Sequence, residues 1–351
     1  MKLNEFYYDL PQNLIAQAPI EPRDNSKLLI LEKKNGNISQ TIFSKIENYL
    51  GKNDILIINK TKTINARLFG ELDIFPKGKK QIKNVEIFLH SQISCDTWEC
   101  LGYPGKNLKI GRNIRFFDEN KNLILNGFIE KIGEMGRYIK FDKSGIEFFE
   151  IIEKIGELPL PPYIKGKLEN KQRYQTIFAK ENGSVASPTA GLHFTKELIE
   201  RLKSSGVIIE EVLLHIGVGT FKPVESEDIT NHQMHSEFIE LKKEVAERLN
   251  NYKKSGKNII AVGTTSIRVL ESFCNENGIL SYGSKKTSIF IYPGYKWKFI
   301  NSLITNFHLP YSTLLMLVSA LAGIENIKNA YEYAIKNEFS FFSFGDAMWI
   351  K

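Results

Sequence analysis

Five of the six histidines, His193, His215, His232, His235 and His308, fall in turns or at the ends of apolar runs. Imidazole titrates near neutrality, so any of them could take or give a proton. One such histidine is weak evidence; five suggest a polar pocket. His232-x-x-His235-x-Glu237 invites a metal reading, but it matches no standard zinc spacing and no cysteine lies near. A second signal is Gly263-Thr264-Thr265-Ser266, between the apolar run Asn258 to Val262 and the amphipathic stretch Ile267 to Phe273. Strand, glycine, hydroxyls and helix start form a nest whose amides favour a carboxylate or phosphate. Neither G-x-G-x-x-G nor the phosphate-loop pattern occurs. Arg268, one step into that helix, suits an anion or a surface carboxylate equally. Gly217 and Gly219 allow close backbone approach to a ligand, or a tight bend. Phe341, Phe342 and Phe344 could stack on a planar base, although core packing is their commoner use. Asp346, after Gly345, could accept hydrogen bonds from a cationic group or cap a turn.

These groups need elements to hold them. The stretch from Gly183 to Thr195 packs two glycines, a proline, four hydroxyl residues and His193 into a loop. Thr195 is placed to cap the helix that follows. Strands are predicted at Lys27 to Leu31, Asp54 to Asn59, Val207 to His215, Asn258 to Val262 and Thr287 to Tyr292. Helices are predicted near Leu14 to Gln17, Phe43 to Leu50, Ile146 to Ile155, Lys242 to Leu249 and Ser312 to Ala322. From about residue 70 to 143 short strands recur at intervals of about 12 residues, as in a small β-barrel. Leu158-Pro159-Leu160-Pro161-Pro162-Tyr163 is a stiff linker through which the chain returns to the domain it left. The expected architecture is an α/β body with a mixed sheet, built from 1–69 and 156–351, with a barrel inserted at 70–155.

The 351 residues are 42% hydrophobic and 25% charged, which suits a globular protein of one large or two ordinary domains. A net charge of +7 is compatible with a polyanionic partner. Three cysteines in no metal or redox spacing suit a reducing compartment. Glu5 and Asp9 interrupt any signal-peptide core, and the apolar run Leu314 to Gly323 is too short to span a bilayer. A cytoplasmic protein without membrane association is expected.

Together these stretches resemble one family. They are Tyr8-Asp9-Leu10-Pro11, Pro22-Arg23-Asp24, Asn59-Lys60-Thr61, Ala66-Arg67-Leu68, Arg173-Tyr174-Gln175-Thr176, the loop from Gly183 to Thr195 and the run from His215 to Phe221 with Pro223-Val224. Met234-His235-Ser236-Glu237, Ala261 to Ser266, Phe290 to Gly294, Thr305-Asn306-Phe307-His308-Leu309-Pro310 and Gly345-Asp346-Ala347-Met348 continue the series. In this order they resemble the S-adenosylmethionine:tRNA ribosyltransferase-isomerases of queuosine biosynthesis over nearly the whole length.

The resemblance implies that S-adenosylmethionine, as co-substrate, gives its ribosyl group to the aminomethyl nitrogen of 7-aminomethyl-7-deazaguanine at a tRNA wobble position. Epoxyqueuosine in tRNA, adenine and methionine would result. No permanently bound cofactor and no metal are expected, and the chain is expected to act as a monomer. A base must remove a proton beside the sulfonium, adenine must be held or protonated as it leaves, and water must be excluded. His193 and His308 are the first candidates for proton transfer, with His215 and His235 as alternatives. Asp346 or Glu237 would orient the amine, and Gly263, Thr264, Thr265 and Ser266 would hold the methionine carboxylate, with Gly217 and Gly219 beside the co-substrate. Arg23, Arg67, Lys60 and Lys106 are candidates for the tRNA backbone, Arg23 and Arg67 alternatively for pocket structure. Tyr103 and Gly166 stand where the family pattern usually has arginine, which removes two possible phosphate contacts. Two rivals remain: a metal-dependent hydrolase built on His232, His235 and Glu237, and a non-catalytic RNA-binding factor.

Overall fold

The structure, a computed structural model, describes residues 1–166, 168, 170–217, 219, 224 and 226–351. Val218, Thr220, Phe221 and Pro223, which belong to the run quoted after His215, lie outside the described residues. The chain divides into two units. One comprises Met1–Thr61, Pro162–Glu181 and Ser187–Lys351; the other comprises Lys62–Pro161 and Asn182–Ala186.

The larger unit is built on nine strands. In spatial order they are Gly283–Thr287, Glu237–Leu241, Ile208–Leu214, Asp54–Asn59, Asn258–Val262, Ser302–Asn306, Ala347–Ile350, Lys27–Leu31 and Ile38–Ile42. Asp54–Asn59 runs parallel to the strands on both sides, and Asn258–Val262 is parallel to Ser302–Asn306. Ala347–Ile350 is antiparallel to Ser302–Asn306 and parallel to Lys27–Leu31. The sheet is therefore mixed, as the α/β reading requires. Its middle strands are unbroken apolar runs because helices and loops cover both faces; Ile55, Leu56 and Ile57 are wholly buried.

This topology places the chemistry along one rim. The parallel strands end at Asn59, Leu214, Val262 and Asn306, and Ala347 starts its antiparallel strand opposite Asn306. Leu28 pairs with Ala347, so the segment before Lys27 emerges at the same rim. Asn59 to Thr61, His215, Gly263 to Ser266, Asn306 to His308, Asp346 and Arg23 to Ser26 all follow or precede a strand there. Ligands of open α/β sheets bind at such strand ends. The helix Thr264–Phe273 is fixed behind the rim by Glu271. Its buried carboxylate accepts from Tyr295 Oη (3.1 Å) and the amides of Lys298 (3.1 Å), Phe299 (3.0 Å) and Ile300 (3.3 Å).

The smaller unit is a closed antiparallel barrel of six strands, in order Arg137–Phe141, Thr97–Tyr103, Gln81–Gln92, Arg67–Ile74, Asn113–Phe117 and Leu123–Ile132. Closure removes the sheet edges that short strands would otherwise leave exposed. Trp98, Ile114, Phe116 and Ile139 fill its core.

Several expectations need correction. The helix expected at Leu14 to Gln17 is a 3-10 turn, Gln12–Leu14, and Ile15 instead bridges to Phe341. The strand expected at Thr287 to Tyr292 runs from Gly283 to Thr287 and stops where the other was to begin. Phe341, Phe342 and Phe344 are buried; Phe341 packs on Phe307 with centroids 4.9 Å apart, so this cluster is core and offers no face to a base. Among the described residues no helix is long and apolar enough to cross a membrane.

Candidate active site

His193 ends a short 3-10 turn, Thr189–His193, and is fully buried against Phe43, with ring centroids 5.0 Å apart. Arg23 Nη2 (3.3 Å) and Asn306 Nδ2 (3.0 Å) both face its Nε2. Both are donors, so Nε2 must accept; the proton then sits on Nδ1 and is donated to Ser26 Oγ at 2.7 Å. Burial, and then the Arg23 charge, push its pKa well below the usual value. The ring is neutral and both nitrogens are engaged.

The groups around it make further bonds. Asn306 Nδ2 also donates to Phe342 O (3.1 Å), while its Oδ1 accepts from Thr189 Oγ1 (3.0 Å). Arg23 Nη2 donates to Gly345 O at 2.6 Å. Asp346 accepts the amides of Lys27 and Ser340, each at 2.7 Å. Burial raises its carboxyl pKa, against those amides and the charges of Lys27 and Arg23. Burial also lowers the Arg23 guanidinium to about 10, opposed by Asp346. Arg23 is only 7% exposed, which moves it from a backbone phosphate contact to pocket structure.

At the neighbouring strand ends Asn59 does the joining. Its side chain donates to Leu214 O (3.0 Å) and accepts from the amides of Leu214 (3.2 Å) and Thr61 (3.1 Å). That sets Thr61 Oγ1 2.8 Å from Nδ1 of His215, whose ring stacks on Phe238. Burial lowers the His215 pKa to about 4, with Glu181 opposing and Lys60 reinforcing the shift. Lys60 is buried, and its ammonium is 3.3 Å from the carboxylate of exposed Glu181. His308 is buried beside Thr305 Oγ1 (3.1 Å), and burial lowers its pKa to about 3. Its main chain is clamped, N–H to Tyr331 Oη at 2.9 Å and carbonyl to Tyr8 Oη at 2.5 Å.

The third cluster lines a cleft of about 510 Å³, its open mouth included. Arg268, Glu237, His232, His235 and Gly219 supply its polar and backbone surface; Met234, Ile289, Phe290, Leu314 and Leu317 supply the apolar walls. Arg268 and Glu237 form a buried ion pair through Nη1 and Oε2. Glu237 Oε1 accepts the Gly217 amide at 2.9 Å. Gly219 is needed where it lies, because a Cβ there would meet the His235 ring at 2.1 Å. Its close approach is thus to a side chain of the cleft.

The stretch Gly263–Ser266 divides. Gly263, at φ 82°, uses a conformation glycine favours and gives its amide to Ile304 O (2.8 Å). Ser266 Oγ returns to Val262 O (2.8 Å), while Thr265 Oγ1 is buried without a partner. No side chain caps the helix that starts at Thr264. In the barrel, Arg67 is bound by Glu86 at 2.6 and 3.1 Å; Lys106 and Tyr103 lie exposed at one turn. The sequence reading assigned no role to Ser26 or Asn306, the two residues that fix the His193 tautomer. A polar residue next to a strand end was the available signal. Their partnership joins positions 167 and 113 residues apart, which no local pattern encodes.

Comparison with known proteins follows the same outline. The family model described as queuosine biosynthesis protein matches residues 3–350. The chain is 52% identical to S-adenosylmethionine:tRNA ribosyltransferase-isomerase of Acetivibrio thermocellus and 49% identical to that of Clostridioides difficile, covering 100% of both partners in each case. It resembles the crystal structure of S-adenosylmethionine tRNA ribosyltransferase from Thermotoga maritima at TM-score 0.56 and 37% identity, covering 99% of this chain and 100% of that one. The chain belongs to the queuosine biosynthesis protein family, that of the S-adenosylmethionine:tRNA ribosyltransferase-isomerases.

Proposed function

We infer that the protein transfers and isomerises the ribosyl moiety of S-adenosylmethionine onto the aminomethyl group of 7-aminomethyl-7-deazaguanine at the wobble position of tRNA. Epoxyqueuosine-tRNA, adenine and methionine are the products. The observation that carries this reading is identity near 50% over whole chains to relatives bearing that enzyme name. The rim of strand ends supports it, because it collects neutral imidazoles, a buried arginine and an uncapped helix start in one unit.

The residues divide by what they can do. A general base must present a free nitrogen to the proton it takes. His193 has none to spare, so it acts as a positioning residue, locking the loop before Thr195 to Arg23, Ser26 and Asn306. Proton transfer falls to His308, His215 and His235. Burial keeps the first two neutral at pH 7, the form a base requires. Asp346 likewise shapes the rim by holding two amides. S-adenosylmethionine is a co-substrate, the reaction needs no metal, and the protein works in the cytoplasm as a monomer. In the barrel, Lys106 is the exposed cation fit for a tRNA phosphate, and Arg67 is committed to Glu86.

The test is transfer of labelled ribose. Adenine appears only when S-adenosylmethionine and tRNA bearing the aminomethyl deazaguanine are both present, and label enters the tRNA. Binding of tRNA without turnover would favour the RNA-binding rival, and loss of activity with chelator the hydrolase.

A further inference from the structure

Among the arginines that hold carboxylates, two use the Nε–Nη2 edge of the guanidinium for both bonds. Arg67 gives Nε and Nη2 to the two oxygens of Glu86, at 2.6 and 3.1 Å. Arg248 gives the same edge to Glu210, at 2.7 Å for both bonds. Arg268 is different. Its Nη1 is taken by Glu237, and its Nε and Nη2 are buried without a partner among the described residues. Two parallel donors are left unpaired on a side chain that is 4% exposed and belongs to the lining of the cleft. Burial lowers its pKa to about 10, so it is charged at pH 7. Leaving such donors unpaired is costly, and a planar fork of this kind matches a carboxylate. Arg23 also leaves two nitrogens unpaired, Nε and Nη1, but its Nη2 is engaged, so no free edge remains.

The rest of the cleft narrows the ligand. Glu237, which holds Nη1 of Arg268, also lines the cleft. A phosphate there would meet a carboxylate, whereas a zwitterion would set its carboxylate on Arg268 and its ammonium toward Glu237. Met234, Phe290, Leu314 and Leu317 give apolar walls for a short aliphatic chain. Thr265, whose hydroxyl is also buried and unpartnered, lies three residues before Arg268 on the same helix face.

We propose that the cleft between Arg268 and Glu237 seats the α-amino acid head of S-adenosylmethionine, the free Nε–Nη2 edge of Arg268 gripping its carboxylate. This rests on the reaction inferred above. It shifts carboxylate recognition from the Gly263–Ser266 amides to the side chain one turn later.

The experiment compares S-adenosylmethionine with its decarboxylated analogue by calorimetric titration into the full-length protein. The wild type is expected to bind the analogue about 100-fold more weakly, the loss of two charge-assisted bonds. Arg268→Lys keeps a charge for Glu237 and loses the fork; discrimination is expected to fall to within a few-fold, with thermal melting confirming the fold. Wild type that binds both ligands equally overturns the proposal without any variant. So does folded Arg268→Lys that still discriminates 100-fold, or whose only defect is salt-sensitive tRNA binding, which would mark a phosphate site. A wild type that binds no S-adenosylmethionine at all fails earlier, at the ribosyl-donor reading, and takes this proposal with it.

Discussion

Two buried cationic clusters lie on the same rim, and they are built in opposite ways. Around His193 each ring nitrogen is engaged: Arg23 and Asn306 donate to it, and it donates to Ser26. Around Arg268 one nitrogen is paired and two are left open beside a cleft. A saturated polar network in a protein interior rigidifies its surroundings, because any rearrangement leaves a desolvated group behind. An open one stays costly until something fills it. Arg23 also keeps Nε and Nη1 unpaired among the described residues. The contrast therefore rests on the histidine, whose two nitrogens are both filled, and on the Nε–Nη2 edge that Arg268 alone of the two leaves unpaired. The first cluster is read as scaffold and the second as a receptor.

Acid attacks the scaffold most broadly. His193, His215 and His308 all have native pKa values depressed below 6.5, the last two to about 4 and about 3. The unfolded chain then binds protons that the native state refuses. Stability is complete above pH 6.5 and falls as pH drops toward the native values, by about 1.4 kcal/mol per histidine for each pH unit. Urea unfolding between pH 7 and 4.5 checks it; a flat profile would mean these rings are accessible in the native state.

His193→Ala comes next. It leaves Arg23, Asn306 and Ser26 without their common partner and opens a cavity beside Phe43. A loss of about 3–5 kcal/mol in unfolding free energy is expected. A loss below about 1 kcal/mol would remove the contrast with Arg268. The matching change in the receptor is the pair Arg268→Met with Glu237→Gln. Replacing a buried ion pair by a neutral one is often neutral or stabilising by about 1–4 kcal/mol. Denaturation should show no loss while S-adenosylmethionine binding collapses; a large loss would make this pair scaffold too. The smallest effect is expected from Thr195→Ala. Thr195 Oγ1 caps Leu198 N at 3.2 Å and donates to Asp24 at 3.0 Å, so about 1 kcal/mol is expected in the same assay.

Much of the framework was legible. Asp54–Asn59 stands where its continuous apolar run predicted, and Thr195 caps its helix as its place in the sequence suggested. The barrel's six strands also fall where short strands were expected to recur. Other strands were not legible. Glu237–Leu241 mixes polar and apolar residues without strict alternation, and Gly283–Thr287, at the edge of the sheet, has no apolar side chain, with Lys285 and Lys286 exposed. Ser302–Asn306 and Ala347–Ile350 are short, and sheet pairing rather than length gives them their conformation.

The sequence alone determined the reaction class, because blocks spread from Tyr8 to Met348 had to co-occur in one order. It also determined where the chain changes from long apolar runs to short strands, since side-chain period follows backbone type. Only the tertiary structure decided which polar residues are closed and which are open. A histidine reads the same in a string whether its two nitrogens are filled or free. Ser26, His193 and Asn306 become one unit only when the sheet brings their strands to a common rim. The free edge of Arg268 is likewise a property of its neighbours, since Glu237 reaches one nitrogen and no described residue reaches the other two.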